Sequence, residues 1–530
     1  MIFMYVDTSQ YVKKGKRYTR YLLRESYREG SKVKKRTIAS LNGCSEEEIE
    51  AIKLALRHKG NLSSLQSPQE LQLTQGKSIG ALLALQAACD QGGLKEALGN
   101  EEQGRIALWQ VFARVLEQGS RCSALRLLDT HLGQERLGLP DLKPYHLYKN
   151  LEWLDKHQQK IEQKLWQRRK AERITNLFLY DVTSSYLEGM HNELAEYGYN
   201  RDKKSGKKQI VIGLLTDNQG DPIAVRVFKG NTSDGKTVKT QIDALRNQFK
   251  VKNVTMVGDR AMFKLPQIEQ MPEDFNYISA LTKPEIRSLM RADIIQLGLF
   301  DDNLCEIEHE NVRYILRCNP LRAREMKVSR EAKLDSLEKL IDQQNSYLHE
   351  HPRATEEAAL KKVRTKAEKL KINNCVAIAI KDRVLSSEVD EVAFEEAGRL
   401  DGCYCLRTNL SAQEASKETV NDRYGDLQLV ERAFRIMKQS HLELRPIYLR
   451  REDHTRGHVF VVMLAYLLQR QLERAWKDIE RTVPEGLSLL STLTTTILRV
   501  GEQEITKIPQ PNTLCQALLT RIGSKLPQSI

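Results

Sequence analysis

Hydrophobic and polar positions change texture twice along this chain of 530 residues. The first 43 residues are strand-like: Arg17-Tyr18-Thr19-Arg20-Tyr21-Leu22-Leu23, a turn at Glu29-Gly30, then a return strand from Lys32 to Ser40. Ser45-Glu46-Glu47-Glu48 has the form of a capping box and opens a short helix ending near His58. Residues 61–76 are polar, contain Pro68 and read as a linker. From 77 to 172 apolar residues recur at helical spacing in Ile79–Leu94, Ile106–Leu116, Cys122–Leu132 and Tyr145–Trp166. Turns at Gly119-Ser120 and Gly138-Leu139-Pro140 join these helices. They suit a helical DNA-binding domain of helix-turn-helix type, and any small bundle has the same pattern.

At 175 strands take over. Leu177-Phe178-Leu179-Tyr180-Asp181-Val182-Thr183 is a buried-strand run with one carboxylate inside it. Gln209–Thr216 and Pro222–Phe228 flank the turn Asp217-Asn218-Gln219-Gly220 and form a hairpin. Asp234–Phe249 is an amphipathic helix, and strands follow at Val254–Asp259 and Tyr277–Leu281. The order β-β-β-α-β-α-β is that of an α/β, ribonuclease-H-like core. Leu334, Leu337, Ile341 and Leu348, then Leu360, Val363, Ala367 and Leu370 beyond Pro352, follow a/d spacing and predict an antiparallel helical hairpin. Strands at Cys375–Ile380 and Cys403–Arg407 and helices over 420–440 and 456–480 complete the pattern. The expected organisation is a basic strand and helix region (1–60), the linker, the helical domain (77–172), a core in two parts (173–315 and 401–480), a largely helical insertion between them (316–400), and a tail (481–530).

Composition narrows the function classes. A hydrophobic fraction of 40% with 29% charged residues excludes general disorder. Lys and Arg outnumber Asp and Glu by 83 to 70, a net +13, and residues 1–43 alone carry 11 against 3. An excess gathered at one end favours a polyanionic partner, most often nucleic acid. The nine cysteines cannot all pair, and Cys403 and Cys405 stand too close for a zinc knuckle, so reduced thiols in a cytoplasm are expected. Asp7 interrupts the opening apolar residues before a signal peptide can form, and Val459–Leu468 is too short to cross a bilayer.

Three carboxylates stand in unusual company. Asp181 lies inside an apolar strand and Asp259 ends another after Gly258. In the proposed core these strands are neighbours, so the two acids share an edge. Adjacent buried carboxylates repel, and a salt bridge or a divalent cation must compensate them. An oxygen-only donor set suits magnesium or manganese. Glu431 is the third, in Tyr424-Gly425-Asp426-Leu427-Gln428-Leu429-Val430-Glu431-Arg432-Ala433-Phe434-Arg435-Ile436-Met437-Lys438. Tyr424, Glu431 and Lys438 follow one another at intervals of seven residues, nearly two helical turns, and so share a stripe.

With these residues in place the sequence resembles the bacterial DDE transposases of the insertion-sequence-four (IS-four) superfamily. That group carries Tyr-x2-Arg-x3-Glu-x6-Lys on the helix of its last acid; Tyr424, Glu431 and Lys438 match, and Leu427 replaces the arginine. Asp181-Val182-Thr183, Phe228 to Asp234, Gly258-Asp259-Arg260, Asp401-Gly402, Leu406 to Asn409, Leu444 to Tyr448 and Arg456-Gly457-His458 match in order. The resemblance implies a ribonuclease-H-like core in which Asp181, Asp259 and Glu431 hold two magnesium ions, with manganese as substitute. It implies double-stranded DNA as partner, both element ends and target, and a homodimer in the DNA complex. Lys438 and Tyr424 would meet DNA near the cut, and Arg435 would stand in for the missing arginine better than Arg432. Lys203, Lys204, Lys207 and Lys208 would line the DNA path or form a solvated loop. Arg260 would orient Asp259 or touch DNA. Members that cut through a DNA hairpin stack a flipped base on an aromatic ring of the insertion. No tryptophan lies between Asp259 and Glu431, which leaves Tyr277, Tyr314, Tyr347 and Tyr404. The rival readings are a different ribonuclease-H-like nuclease and a domesticated protein that only binds DNA; all three acids are present here.

Overall fold

The computed structural model describes residues 3–30, 32–60, 71–172, 175–260, 262–439, 442–500 and 503–527. Most of the expected linker, 61–70, lies outside the described residues. The chain forms two compact units: Met1–Leu83 with Asp129–Leu132 and Gly486–Ile530, and Ala84–Leu128 with Gly133–Glu485.

In the first unit, β1 (Phe3–Lys13), β2 (Lys16–Glu29) and β3 (Lys32–Ser40) make an antiparallel meander. Lys14 and Gly15 both adopt positive φ between the paired Lys13 and Lys16, the turn that matches the twist of two antiparallel strands. The sequence pattern gives β2 and β3 clearly, whereas the polar Thr8-Ser9-Gln10 hides β1. The helix Glu46–Arg57 opens on the expected capping box: Ser45 Oγ accepts from the Glu48 N–H and Glu48 Oε2 from the Ser45 N–H. β4 (Leu71–Ser78) overturns the last part of the linker reading. Its polar residues serve an edge of a small sheet whose other strands come from the far end of the chain.

The second unit holds an eight-stranded mixed sheet. Its strands are β5 (Leu177–Tyr186), β6 (Gln209–Asp217), β7 (Pro222–Lys229), β8 (Val254–Gly258), β9 (Phe275–Ala280), β10 (Cys305–His309), β11 (Val312–Cys318) and β14 (Cys403–Thr408). The sheet order is β10-β11-β14-β9-β8-β5-β6-β7. β5, β6 and β7 are antiparallel, while β5, β8 and β9 run parallel. This is the ribonuclease-H-like core that the alternation of elements predicts. Trp166, Phe178, Tyr180, Phe249, Met256, Phe275 and Tyr277 belong to its hydrophobic core. A Cβ at Gly213 would come within 2.3 Å of the Tyr180 hydroxyl, so only glycine lets that phenol reach Thr237 Oγ1 at 2.7 Å.

The helices of 84–128 and 133–172 do not stand as a separate domain. Glu102–Leu116 and Pro144–Glu172 pack on the long helix Glu452–Ala475, whose run Val459–Leu468 is wholly buried. Periodicity reveals such helices but not what covers them. The insertion leaves the sheet at Cys318 and returns at Cys403, two residues paired across β11 and β14. Its helices Pro320–Glu350 and Glu356–Leu370 form the expected hairpin. They pack through Leu337, Ile341, Leu348, Val363 and Ala367 on Val376 and Leu385, which lie in the two-stranded sheet of β12 (Val376–Lys381) and β13 (Val384–Val389). In the tail β15 (Thr494–Val500) pairs with both β4 and β16 (Gln503–Lys507).

Candidate active site

The parallel register sets Tyr180 of β5 opposite Gly258 of β8, so the next residues, Asp181 and Asp259, stand side by side. The helix Leu427–Lys438 packs on β5 through its apolar face, with Val430, Ala433, Phe434 and Met437 buried. Glu431 and Arg435, one turn apart, are left exposed. Burial pushes the Asp181 carboxyl up to about 7, and the charges of Asp259 and Glu431 add to the rise. The Val182 amide hydrogen bond and Arg201 act in the opposite sense. Arg201, however, is engaged with Asp234 through two hydrogen bonds of 2.5 and 2.6 Å. Three acids therefore converge, and among the described residues neither Asp181 nor Glu431 makes an ion pair, while Asp259 has only the exposed Arg260 beside it.

The expected continuous helix over 420–440 is two helices, Lys417–Gly425 and Leu427–Lys438, meeting at Asp426. Tyr424, on the first, still reaches the site: its hydroxyl donates to Asp259 Oδ1 at 3.5 Å, and burial, then the Asp259 charge, push its pKa up. Leu427 is buried, so the position where the family pattern has arginine is here a core position. The Arg260 backbone N–H donates to Asp259 Oδ1 at 2.7 Å, and its guanidinium Nε stands 3.6 Å from the same oxygen.

Lys438 is placed differently from the DNA-facing position expected of it. Its ammonium donates to Thr183 Oγ1 at 3.0 Å and to the Ser184 carbonyl at 2.7 Å, and it pairs with Asp202 Oδ1 at 2.5 Å. Three acceptors match the three donors of an ammonium. Burial lowers its pKa more than Asp202 raises it. Asp202, with its side chain 1% exposed, also binds Arg445 and accepts the Tyr186 N–H at 3.1 Å. Sequence reasoning missed Asp202 because it stands beside Lys203 and Lys204; an acid inside a basic loop was the available signal. Lys203 and Lys204 are exposed, Lys204 with its ammonium 5.8 Å from the Tyr186 ring. Lys207 pairs with Glu188 at 2.7 Å, and Lys208 lies over Tyr197.

Of the candidate stacking tyrosines, Tyr277 is buried, Tyr404 donates to Asn421 Oδ1, and Tyr314 is half-buried. Tyr347 is exposed and stacked on His351. Tyr199 and Tyr448, 81% and 72% exposed, lie outside the interval in which aromatic rings were sought. Among the described residues one acidic and histidine trio has ligand atoms within 4.8 Å of one another: Glu152, Asp453 and His454. Arg451 already pairs with both carboxylates there, which makes it an ion-pair cluster. The three acids of the core are more widely set than that trio.

Residues 172–468 match the family model of the transposase DDE domain, a span that contains Asp181, Asp259 and Glu431. This chain belongs to the DDE transposases. Residues 6–69 match the N-terminal domain of the IS1634 family transposases, so the insertion-sequence assignment rests on both ends of the match. No curated protein matches the chain. Among solved structures, the cryo-EM structure of a piggyBac transposase synaptic complex with hairpin DNA aligns at 8% identity and a TM-score of 0.34, over 78% of this chain and 76% of that one. The transposase is thus a polynucleotidyl transferase by family. Among its described residues no helix is long and apolar enough to cross a membrane.

Proposed function

We propose that this transposase binds the terminal inverted repeats of its insertion sequence and cuts and joins DNA with Asp181, Asp259 and Glu431 as its catalytic acids. The observation that carries the reading is their convergence: two neighbouring strands and one helix bring three carboxylates together, and Asp181 is held up to about 7 by burial and by the other two. An all-carboxylate cluster whose one nearby cation is the exposed Arg260 fits hard divalent ions, magnesium or manganese, with these three residues as ligands. Held by Asp181, Asp259 and Glu431, such ions would supply activation of water or a DNA 3′-hydroxyl and charge stabilisation for the leaving 3′ oxygen. The chain's own groups do the rest. Tyr424 and the Arg260 amide fix the Asp259 carboxylate, leaving its other oxygen open. Arg435, exposed beside Glu431, offers a fork for a DNA phosphate. Lys203 and Lys204 extend the basic lining. The element ends are held by a homodimer, and the protein works in the cytoplasm on the nucleoid.

Asp181→Asn, Asp259→Asn and Glu431→Gln should each abolish magnesium-dependent cleavage of end-bearing DNA, a loss of at least about 10³-fold, while binding to the same DNA stays within a few-fold. Near-normal cleavage by any one of them removes that residue from the site. Binding without cleavage by the wild type would favour the domesticated reading.

A further inference from the structure

The helical hairpin of the insertion carries a basic groove that the three acids do not explain. It is lined by Leu340, Ala358, Lys339, Lys361, Lys362, Lys366 and Lys369 among others, with no acidic residue among the lining groups; its volume is about 800 Å³. The four lysines on the helix Glu356–Leu370 recur at one-turn and two-turn spacing, so they form one face. The opposite face of the same hairpin buries Leu337, Val363 and Ala367 against its own core. Among the described residues none of the five lysines makes an ion pair, whereas Lys207, Lys283 and Lys438 are each matched to a carboxylate. Five like charges gathered on one groove raise the energy of the free protein, and a polyanion removes that cost.

The topology says which polyanion. β11 is antiparallel to β14, and β14 is antiparallel to β9, so β11 runs in the same direction as β9, β8 and β5. The insertion therefore leaves the sheet from the end at which β8 gives way to Asp259. The step from β8 to β11 crosses two strands, β9 and β14, a displacement of roughly 15 Å at about 4.8 Å per step. From Lys361 to Lys369 the helix rises ~12 Å, against about 3.4 Å of duplex axis per phosphate on one strand. The row can meet two to four successive phosphates.

We propose that this groove, Lys339 with Lys361, Lys362, Lys366 and Lys369, is a second duplex-DNA contact that grips phosphates flanking the cleavage site. It rests on the transposase reading above. It grips backbone rather than bases, because its charged groups are all lysines, which act as point charges beside a single amide, Gln343.

The test uses the full-length chain with Lys339, Lys361, Lys362, Lys366 and Lys369 all changed to Gln, and a second variant, K362E/K366E. Binding is measured to a duplex of about 40 base pairs carrying the element end and to an unrelated duplex of equal length, between about 0.05 and 0.2 M salt. The expected result is a log–log salt slope smaller by about 2–4 and an affinity lower by on the order of 10–100-fold for both duplexes. K362E/K366E should lose at least as much per lysine, and neither variant should melt below wild type, since repulsion has been relieved. An unchanged slope in variants that melt normally would overturn the proposal and leave an acidic protein as the partner. Loss confined to the element-end duplex would also overturn it, since that is base reading. A wild-type chain that neither binds nor cuts end DNA would instead be a failure of the transposase reading, visible before any lysine is changed.

Discussion

At Lys438 an ammonium with all its donors taken does the work of a rivet. Thr183 and Ser184 belong to β5, two and three residues past Asp181, while Lys438 ends the helix that carries Glu431. The residue thus ties two acid-bearing elements together, and Asp202 supplies the charge that makes burial tolerable. Lys438→Met should destabilise the DNA-free protein by about 3–5 kcal/mol, because Asp202 is left with a surplus of buried negative charge partly met by Arg445. Thermal melts without DNA check this; an unchanged melting curve together with weakened DNA binding would restore Lys438 to the phosphate. The acids themselves were legible in the sequence, since a carboxylate inside an apolar strand is costly wherever it occurs. The partner of Lys438 was not, because a heptad interval fixes a stripe on a helix but not what faces it. Asp202 comes from a loop more than two hundred residues earlier, a proximity that only the closed sheet creates.

Elements rather than residues are held by the turn between β6 and β7. Asp221, 2% exposed at its side chain, meets Arg470 at 3.2 Å and Arg474 at 2.5 Å, both on the long Glu452–Ala475 helix. Arg169, from the helix Pro144–Glu172, pairs with the neighbouring Asp217 at 3.3 Å. Burial alone would raise the Asp221 pKa, but Arg169, Arg474 and Arg470 outweigh it and hold it down to about 2, below its ordinary 3.8. A depressed acid contributes stability above its unfolded pKa and loses it as pH falls through the folded one. Asp221→Asn should therefore cost about 3 kcal/mol at neutral pH, and the gap to wild type should close between about pH 4 and pH 2, read from denaturant midpoints. A gap that persists below that window would assign the loss to packing. The turn itself was legible from Asp217-Asn218-Gln219-Gly220. Its clamp was not, and neither were two edge strands: β10, which alternates but over only five residues, and β13, whose Ser386-Ser387-Glu388 breaks the alternation. The strong periodic signals, β5, β8 and the helical hairpin, were the ones with a buried face to pay for.

At the scale of the whole chain, charge and connectivity divide the labour. The meander β1–β3 alone carries +8 of the net charge of +13, and with the helix after it buries Leu22, Leu41 and Ile49. Deleting residues 1–60 should lower end-binding affinity and reduce the salt slope by several phosphate equivalents; unchanged values would exclude the basic sheet as a contact. The cut belongs at 60 and not at 172. A fragment ending at 172 separates β4 from β15 and strips the Pro144–Glu172 helix of the helix it packs on.

The pairing of β4 with β15 also sets a clock. Leu71 is matched to Val500, so its partner is made about 430 residues later, a wait of roughly 20–90 s at about 5–20 residues per second of synthesis. Through that interval the ribosome has already delivered the basic sheet, then Asp181, Asp259 and Glu431 in turn, while β4 holds an open row of amides and carbonyls. A message broken between codons 476 and 494 would therefore yield a chain with every acid and the core helix Glu452–Ala475 in place but β4 unpaired, marked for proteases or for a neighbouring copy by the strand it never received.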